Sequence, residues 1–192
     1  DDADRVTIDI VATQTVFATL PADGAALNGD VVSGQVFATQ PIVAAHDQNG
    51  NADVDATGSA TISVQSGGVS LTGTTAQAWS NGRATFTNLA AASSADATAF
   101  TLQASAIGLS ATASLTCDVV ASQLVFAQEA AHSGVPNGDV LSGVAFQTQP
   151  VLQGQNAAGA DLHFQDWVTL TAQTGTLAGT TTLQAQNGQA TF

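Results

Sequence analysis

Residues 100–119 read Phe100-Thr101-Leu102-Gln103-Ala104-Ser105-Ala106-Ile107-Gly108-Leu109-Ser110-Ala111-Thr112-Ala113-Ser114-Leu115-Thr116-Cys117-Asp118-Val119, and their alternation decides the fold class. Phe100, Leu102, Ala104 and Ala106 take turns with Thr101, Gln103 and Ser105, the period of a strand with one face in a core. Gly108 marks a reversal. Beyond it Ala111, Ala113, Leu115, Cys117 and Val119 alternate with Thr112, Ser114, Thr116 and Asp118, which predicts a second strand and therefore a hairpin. Ile62 and Val64 show the same pattern, as do Val168 and Leu170. The Ala-rich stretch 89–98 is read as a loop, because its Ser, Asp and Thr content and its short length disfavour a helix.

Outward from this hairpin the chain repeats itself. Asn28-Gly29-Asp30-Val31 returns as Asn137-Gly138-Asp139-Val140, and Thr39-Gln40-Pro41 as Thr148-Gln149-Pro150, both 109 positions on. The same offset carries Val16-Phe17 to Val125-Phe126, Phe37 to Phe146 and Gly50 to Gly159. Later, Leu71, Gly73-Thr74-Thr75 and Asn81-Gly82 return as Leu177, Gly179-Thr180-Thr181 and Asn187-Gly188 at an offset of 106. The second copy is thus three residues shorter, with the loss expected between Gly50 and Ile62, where a turn tolerates it. Val6-Thr7-Ile8-Asp9-Ile10 lines up with Leu115-Thr116-Cys117-Asp118-Val119, and Phe192 with Phe86. Residues 1–11 accordingly read as the last strand of a preceding repeat or as a donor strand, 12–120 as a complete repeat, and 121–192 as a second repeat lacking its last strands. Asn-Gly and Gly-Gly pairs separate the short strands, and many short strands per roughly 100 residues predict an all-β chain of tandem sandwiches.

The totals narrow the function classes. Fifteen acidic residues face two basic ones, Arg5 and Arg83, for a net charge of −13. Nucleic acid and anionic membrane are excluded as expected partners, since both require Lys and Arg against phosphate. Cys117 is the single cysteine, so no disulfide forms within the chain, and its alternating strand position reads as a small buried hydrophobe. No apolar run approaches the length of a membrane span, so membrane insertion is not expected.

The order Asp47-Gln48-Asn49-Gly50-Asn51, then a strand, then Leu71-Thr72-Gly73-Thr74-Thr75, then Asn81-Gly82-Arg83-Ala84-Thr85-Phe86, then Phe100-Thr101-Leu102-Gln103-Ala104 resembles the bacterial immunoglobulin-like (Big/invasin-like) repeats of large surface adhesins and of invasin and intimin stalks. The resemblance covers essentially the whole chain. It implies immunoglobulin-like sandwiches strung along an extracellular stalk or fibre at the bacterial surface, and says little of a ligand.

Candidate chemistry is sparse. Asp47, Asn49, Asn51, Asp53 and Asp55 place oxygen side chains at every second position, as part of a calcium loop does, and Ca2+ is the one cofactor this raises. The pattern departs from an EF-hand loop at Ala52 and Gly58, and an ordinary polar turn is the competing reading. On the 109 offset the aligned positions are Asn156, Ala158, Ala160, Leu162 and Phe164, which lack the ligand set. Val6, Ile8 and Ile10 are a candidate assembly strand that would add to the open sheet of another copy, so that chains join head to tail. His46, His132 and His163 are scattered, and no nucleophile, base and acid recur at useful spacing, so no enzyme is expected. Trp79 falls opposite Ala185 and Trp167 opposite Thr61, each either a packing residue or an exposed platform for glycan. The expected function is a non-catalytic structural repeat whose partners are neighbouring repeats or copies of itself. A glycan- or receptor-binding module is the alternative.

Overall fold

The computed structural model describes residues 8–26, 29–106, 108–135 and 140–192. Among them the regular structure is entirely β, with no helix that could cross a membrane. Ten strands lie in the first repeat: Gln14–Thr19 (β1), Val31–Val32 (β2), Ile42–His46 (β3), Ser59–Gly67 (β4), Ser70–Thr72 (β5), Ala76–Ala78 (β6), Arg83–Thr85 (β7), Ala90–Ala92 (β8), Thr98–Ala106 (β9) and Leu109–Asp118 (β10). Five follow in the second: Gln123–Gln128 (β11), Val151–Gln155 (β12), Trp167–Thr169 (β13), Thr182–Gln184 (β14) and Gln189–Thr191 (β15).

The alternation that predicts the hairpin at 100–119 produces it. β9 and β10 pair antiparallel from Leu109–Ala106 to Cys117–Thr98, reversing at Gly108, whose φ of 75° suits a residue without a side chain. Sheet order is β2-β10-β9-β4-β6 on one side and β1-β3-β7 on the other. Between them sits the larger core, which includes Val31, Val43, Ile62, Ala84, Phe86, Leu89, Phe100, Leu102, Leu115 and Cys117. The second repeat has sheets β11-β12-β15 and β13-β14 around a smaller core of Leu152, Val168, Ala185 and Ala190, flanked by Phe164, Leu170 and Phe192.

The sequence repeat becomes a repeat of hydrogen bonds. Pairing of β1 with β3 runs Gln14–His46 to Phe17–Val43 with an irregularity before Thr19, and β11 with β12 runs Gln123–Gln155 to Phe126–Leu152 with the same irregularity before Gln128. Asn81-Gly82 and Asn187-Gly188 both make tight turns with two positive φ values, 51° and 72° against 50° and 82°. Gly82 also has to be small: a Cβ there would meet the Asp53 carbonyl oxygen at 2.6 Å, and at Gly188 the Asp161 oxygen at 2.3 Å.

Two expectations are corrected by these ladders. The three-residue shortening does not lie wholly between Gly50 and Ile62. One residue is lost from the turn after β3: Asp47 N–H donates to Asn51 O, whereas Asn156 N–H donates to Gly159 O. The other two are lost between Ile62 and Thr75, because Ser59–Ala78 corresponds to Trp167–Gln184 and the Ile62–Thr75 bond to the Leu170–Thr181 bond. Trp167 therefore stands opposite Ser59, not Thr61, and Asp161 opposite Asp53. The stretch 89–98 also differs from a plain loop. Ala90–Ala92 pairs with Ser70–Thr72, and Leu89 and Ala91 are sealed in the core, before a turn at residues 94–97. A strand of three alanines is too short and too uniform to show a period.

Cys117 is fully buried opposite Val31, and burial pushes its thiol above the usual range. It is expected to resist a thiol-directed label in the folded chain and to react fully in denaturant; rapid labelling of native protein would contradict this packing.

Candidate functional site

A dense set of long-range polar interactions lies where the repeats meet. Asp96, in the turn between β8 and β9, has a fully buried side chain and accepts from both repeats. Its Oδ1 takes the N–H groups of Ala97 and Val119, both at 2.8 Å. Its Oδ2 takes the Leu162 N–H at 3.0 Å and lies 2.8 Å from His163 Nδ1. Asp161 completes the arrangement: one oxygen accepts from Ala121 N–H at 2.9 Å and the other from His163 N–H at 2.9 Å. Since Ser122 N–H donates to Gln155 O, three of the four amides in the Val119–Ser122 linker are held, one by the first repeat and two by the second. At Gly159 a Cβ would come within 2.6 Å of Ser94 O, so the two repeats touch there through backbone.

The same anchor recurs at the start of the first repeat. Asp53 accepts the Ala12 N–H at 2.8 Å, as Asp161 accepts that of Ala121. A buried carboxylate beside the segment that enters each repeat is thus a standing part of this repeat, and its worth follows from the cost of leaving a part-buried amide without a partner.

Burial on its own would raise the Asp96 carboxyl. The Val119 N–H, a hydrogen bond with the Asp118 side chain, His163 and the Leu162 N–H outweigh it and hold Asp96 below its ordinary value. A depressed carboxyl stabilises the folded junction above the unfolded value near 4, and that contribution is lost as pH falls through the folded value. Acid titration is therefore expected to release the junction only below about pH 4, as Asp96 takes up its proton. Amide exchange at Val119 and Leu162 reports it; release already at pH 5–6 would contradict the assignment.

The residues singled out from sequence fall into separate places. Asp47 organises its own turn: Oδ1 accepts from Asn49 N–H at 2.8 Å and Asn51 N–H at 2.9 Å, and Oδ2 from Asn51 Nδ2 at 2.9 Å. These bonds, led by the Asn51 side chain, hold its carboxyl below the ordinary value. Asp53 is buried and turned to Ala12, while exposed Asp55 is raised by its hydrogen bond to Asp53 and by the charge of Asp9. The five oxygen residues thus divide between a self-bonded turn and a linker anchor. Of the candidate assembly strand, Val6 lies outside the described residues, Ile8 is 89% exposed and Ile10 is half-buried. Trp79 packs against the larger core, whereas Trp167 is 69% exposed on β13.

Asp96 and His163 were not legible as partners from sequence, since they are 67 positions apart. The one available signal was Asp53 itself: placing a single-residue gap in the turn brings Asp161 opposite it. Ligand-type atoms of Asp96, Asp161 and His163 lie within 4.8 Å of one another, and the carboxylate oxygens there already receive N–H donors. The chemistry on view is fastening of backbone. No protein-family model matches the chain, and neither a curated protein nor a solved structure does.

Proposed function

We propose that this chain is a structural, non-catalytic segment of an extracellular fibre or adhesin stalk at a bacterial surface, built from tandem immunoglobulin-like sandwiches of the Big/invasin type. What carries the reading is the repeated anchor, Ala12 on Asp53 and Ala121 on Asp161, together with the Asp96 clamp across the junction. A linker with most of its amides fixed transmits orientation from one repeat to the next, which a projecting stalk needs and a pair of tethered binding modules does not. Neighbouring repeats or further copies are then its partners. Small-angle scattering of the chain tests this. The reading expects a rod-like particle with one end-to-end length at low and high salt; a broad distribution of lengths, as from a swivelling linker, would overturn it.

The second reading, a glycan- or receptor-binding module, draws on the exposure of Trp167. A glycan array on which binding vanished with Trp167→Ala would favour it over the first.

A further inference from the structure

In the first repeat Val31 and Val32 are 0% exposed, because β2 runs parallel to the end of β10, Val31 against Cys117 and Val32 against Asp118. Their counterparts at the 109 offset, Val140 and Leu141, are 42% and 47% exposed. β1 tells the same story: Thr15 is buried and Phe17 packs on the core, while the counterparts Leu124 and Phe126 are 45% and 55% exposed. Each of these four apolar side chains is well exposed although β11, β12, β13, β14 and β15 pair as their counterparts in the first repeat do. Such exposure on a sheet with free edges marks a surface awaiting a partner.

We propose that this face is a receiving site for a two-stranded β-hairpin of the β9–β10 type. The inference rests on the reading of both repeats as one architecture and adds to it the partner of the second. Two strands are required by the edges. In the first repeat β10 serves β2, while β9 serves β4, pairing from Thr61–Ser105 to Gly67–Phe100. Among the described strands of the second repeat, β13 pairs only with β14, so its other edge corresponds to the one that β9 takes. A single strand covers one edge and leaves the other. The hairpin that fits alternates small or branched apolar residues on its inner face and runs its second strand parallel to Val140-Leu141. Main-chain bonds would supply affinity and the apolar alternation would set register.

Ser33 N–H donates to Asp118 O at 2.7 Å, so the amide of its counterpart Ser142 is the reporter. Two samples test the proposal by hydrogen exchange: the chain with a copy of residues 87–119 appended after Phe192, and the unmodified chain mixed with a peptide of residues 97–119. Exchange at Ser142 is expected to slow by about tenfold or more in both, and Leu141→Asp, a change at an exposed position, to abolish the effect. Unchanged exchange at Ser142 in the appended chain would overturn the proposal, and so would equal protection by a peptide of residues 5–11, which offers one strand. Protection that appears in the unmodified chain alone and grows with its concentration would overturn it too, making a second copy the occupant. Failure of the underlying reading looks different: amides of β11 and β12 would then exchange unlike those of β1 and β3.

Discussion

Truncation of Leu102 to alanine is expected to cost the first repeat about 3–4 kcal/mol, the range for a large aliphatic side chain removed from a sealed core. Leu102 is 0% exposed at the centre of β9, opposite Ala113 of β10 and Val64 of β4. β9 is the middle strand of its sheet and Leu102 lies within the larger core, so the site collapses poorly and the cavity penalty stays high. The two tryptophans make the effect separable: Trp79 packs on the larger core and Trp167 stands on β13 of the second repeat. With Trp167→Phe as background, urea unfolding followed by Trp79 fluorescence should shift to a lower midpoint in Leu102→Ala. A loss under about 1 kcal/mol would mean that the position is not enclosed as described.

Asp96→Ala is the change with the largest expected effect on the junction. It removes the acceptor for the Ala97, Val119 and Leu162 N–H groups and for His163, and an orphaned buried amide costs about 1–3 kcal/mol. Only the Leu162 and His163 contacts cross between the repeats, and water reaches both, so about 1–2 kcal/mol of coupling should disappear while each core keeps its packing. Amides of Val119 and Leu162 should exchange faster, and those of β3 and β9 at their original rates. Asp96→Asn keeps one acceptor oxygen and should fall between. If exchange at Leu162 were unaffected by Asp96→Ala, the clamp would not be what joins the repeats.

Sequence and structure agree best where a local period coincides with a buried face. β9 and β10 follow from Phe100, Leu102, Ala104 and Ala106 set against Leu115 and Cys117, since all six enter the core while Thr101, Gln103, Ser105, Ser114 and Thr116 alternate with them. Asn81-Gly82 and Asn187-Gly188 were equally readable, because few other pairs tolerate two positive φ values in succession. Legibility failed where the information is not periodic. Ala90–Ala92 gains its strand from pairing with Ser70–Thr72, which residues 89–98 cannot reveal by themselves. The loss of one residue after β3 and of two beyond Ile62 leaves no local mark in the sequence; the bonds Asp53–Ala45 and Asp161–Gly154 fix the first gap, and Ile62–Thr75 and Leu170–Thr181, with the Ser59–Ala78 and Trp167–Gln184 pairs, fix the second. The junction was hidden for the same reason, as Asp96 is one acidic residue among fifteen until the fold brings Val119 and Leu162 to it.

Residual dipolar couplings, measured separately for amides of β3, β4 and β9 and for those of β11, β12 and β15, put the stiffness of the junction to the most direct test. Fixed stacking requires that one alignment tensor, in orientation and magnitude, fit both sets. Two tensors of different magnitude would show the repeats tumbling apart, and the stalk reading would go with the junction that supports it.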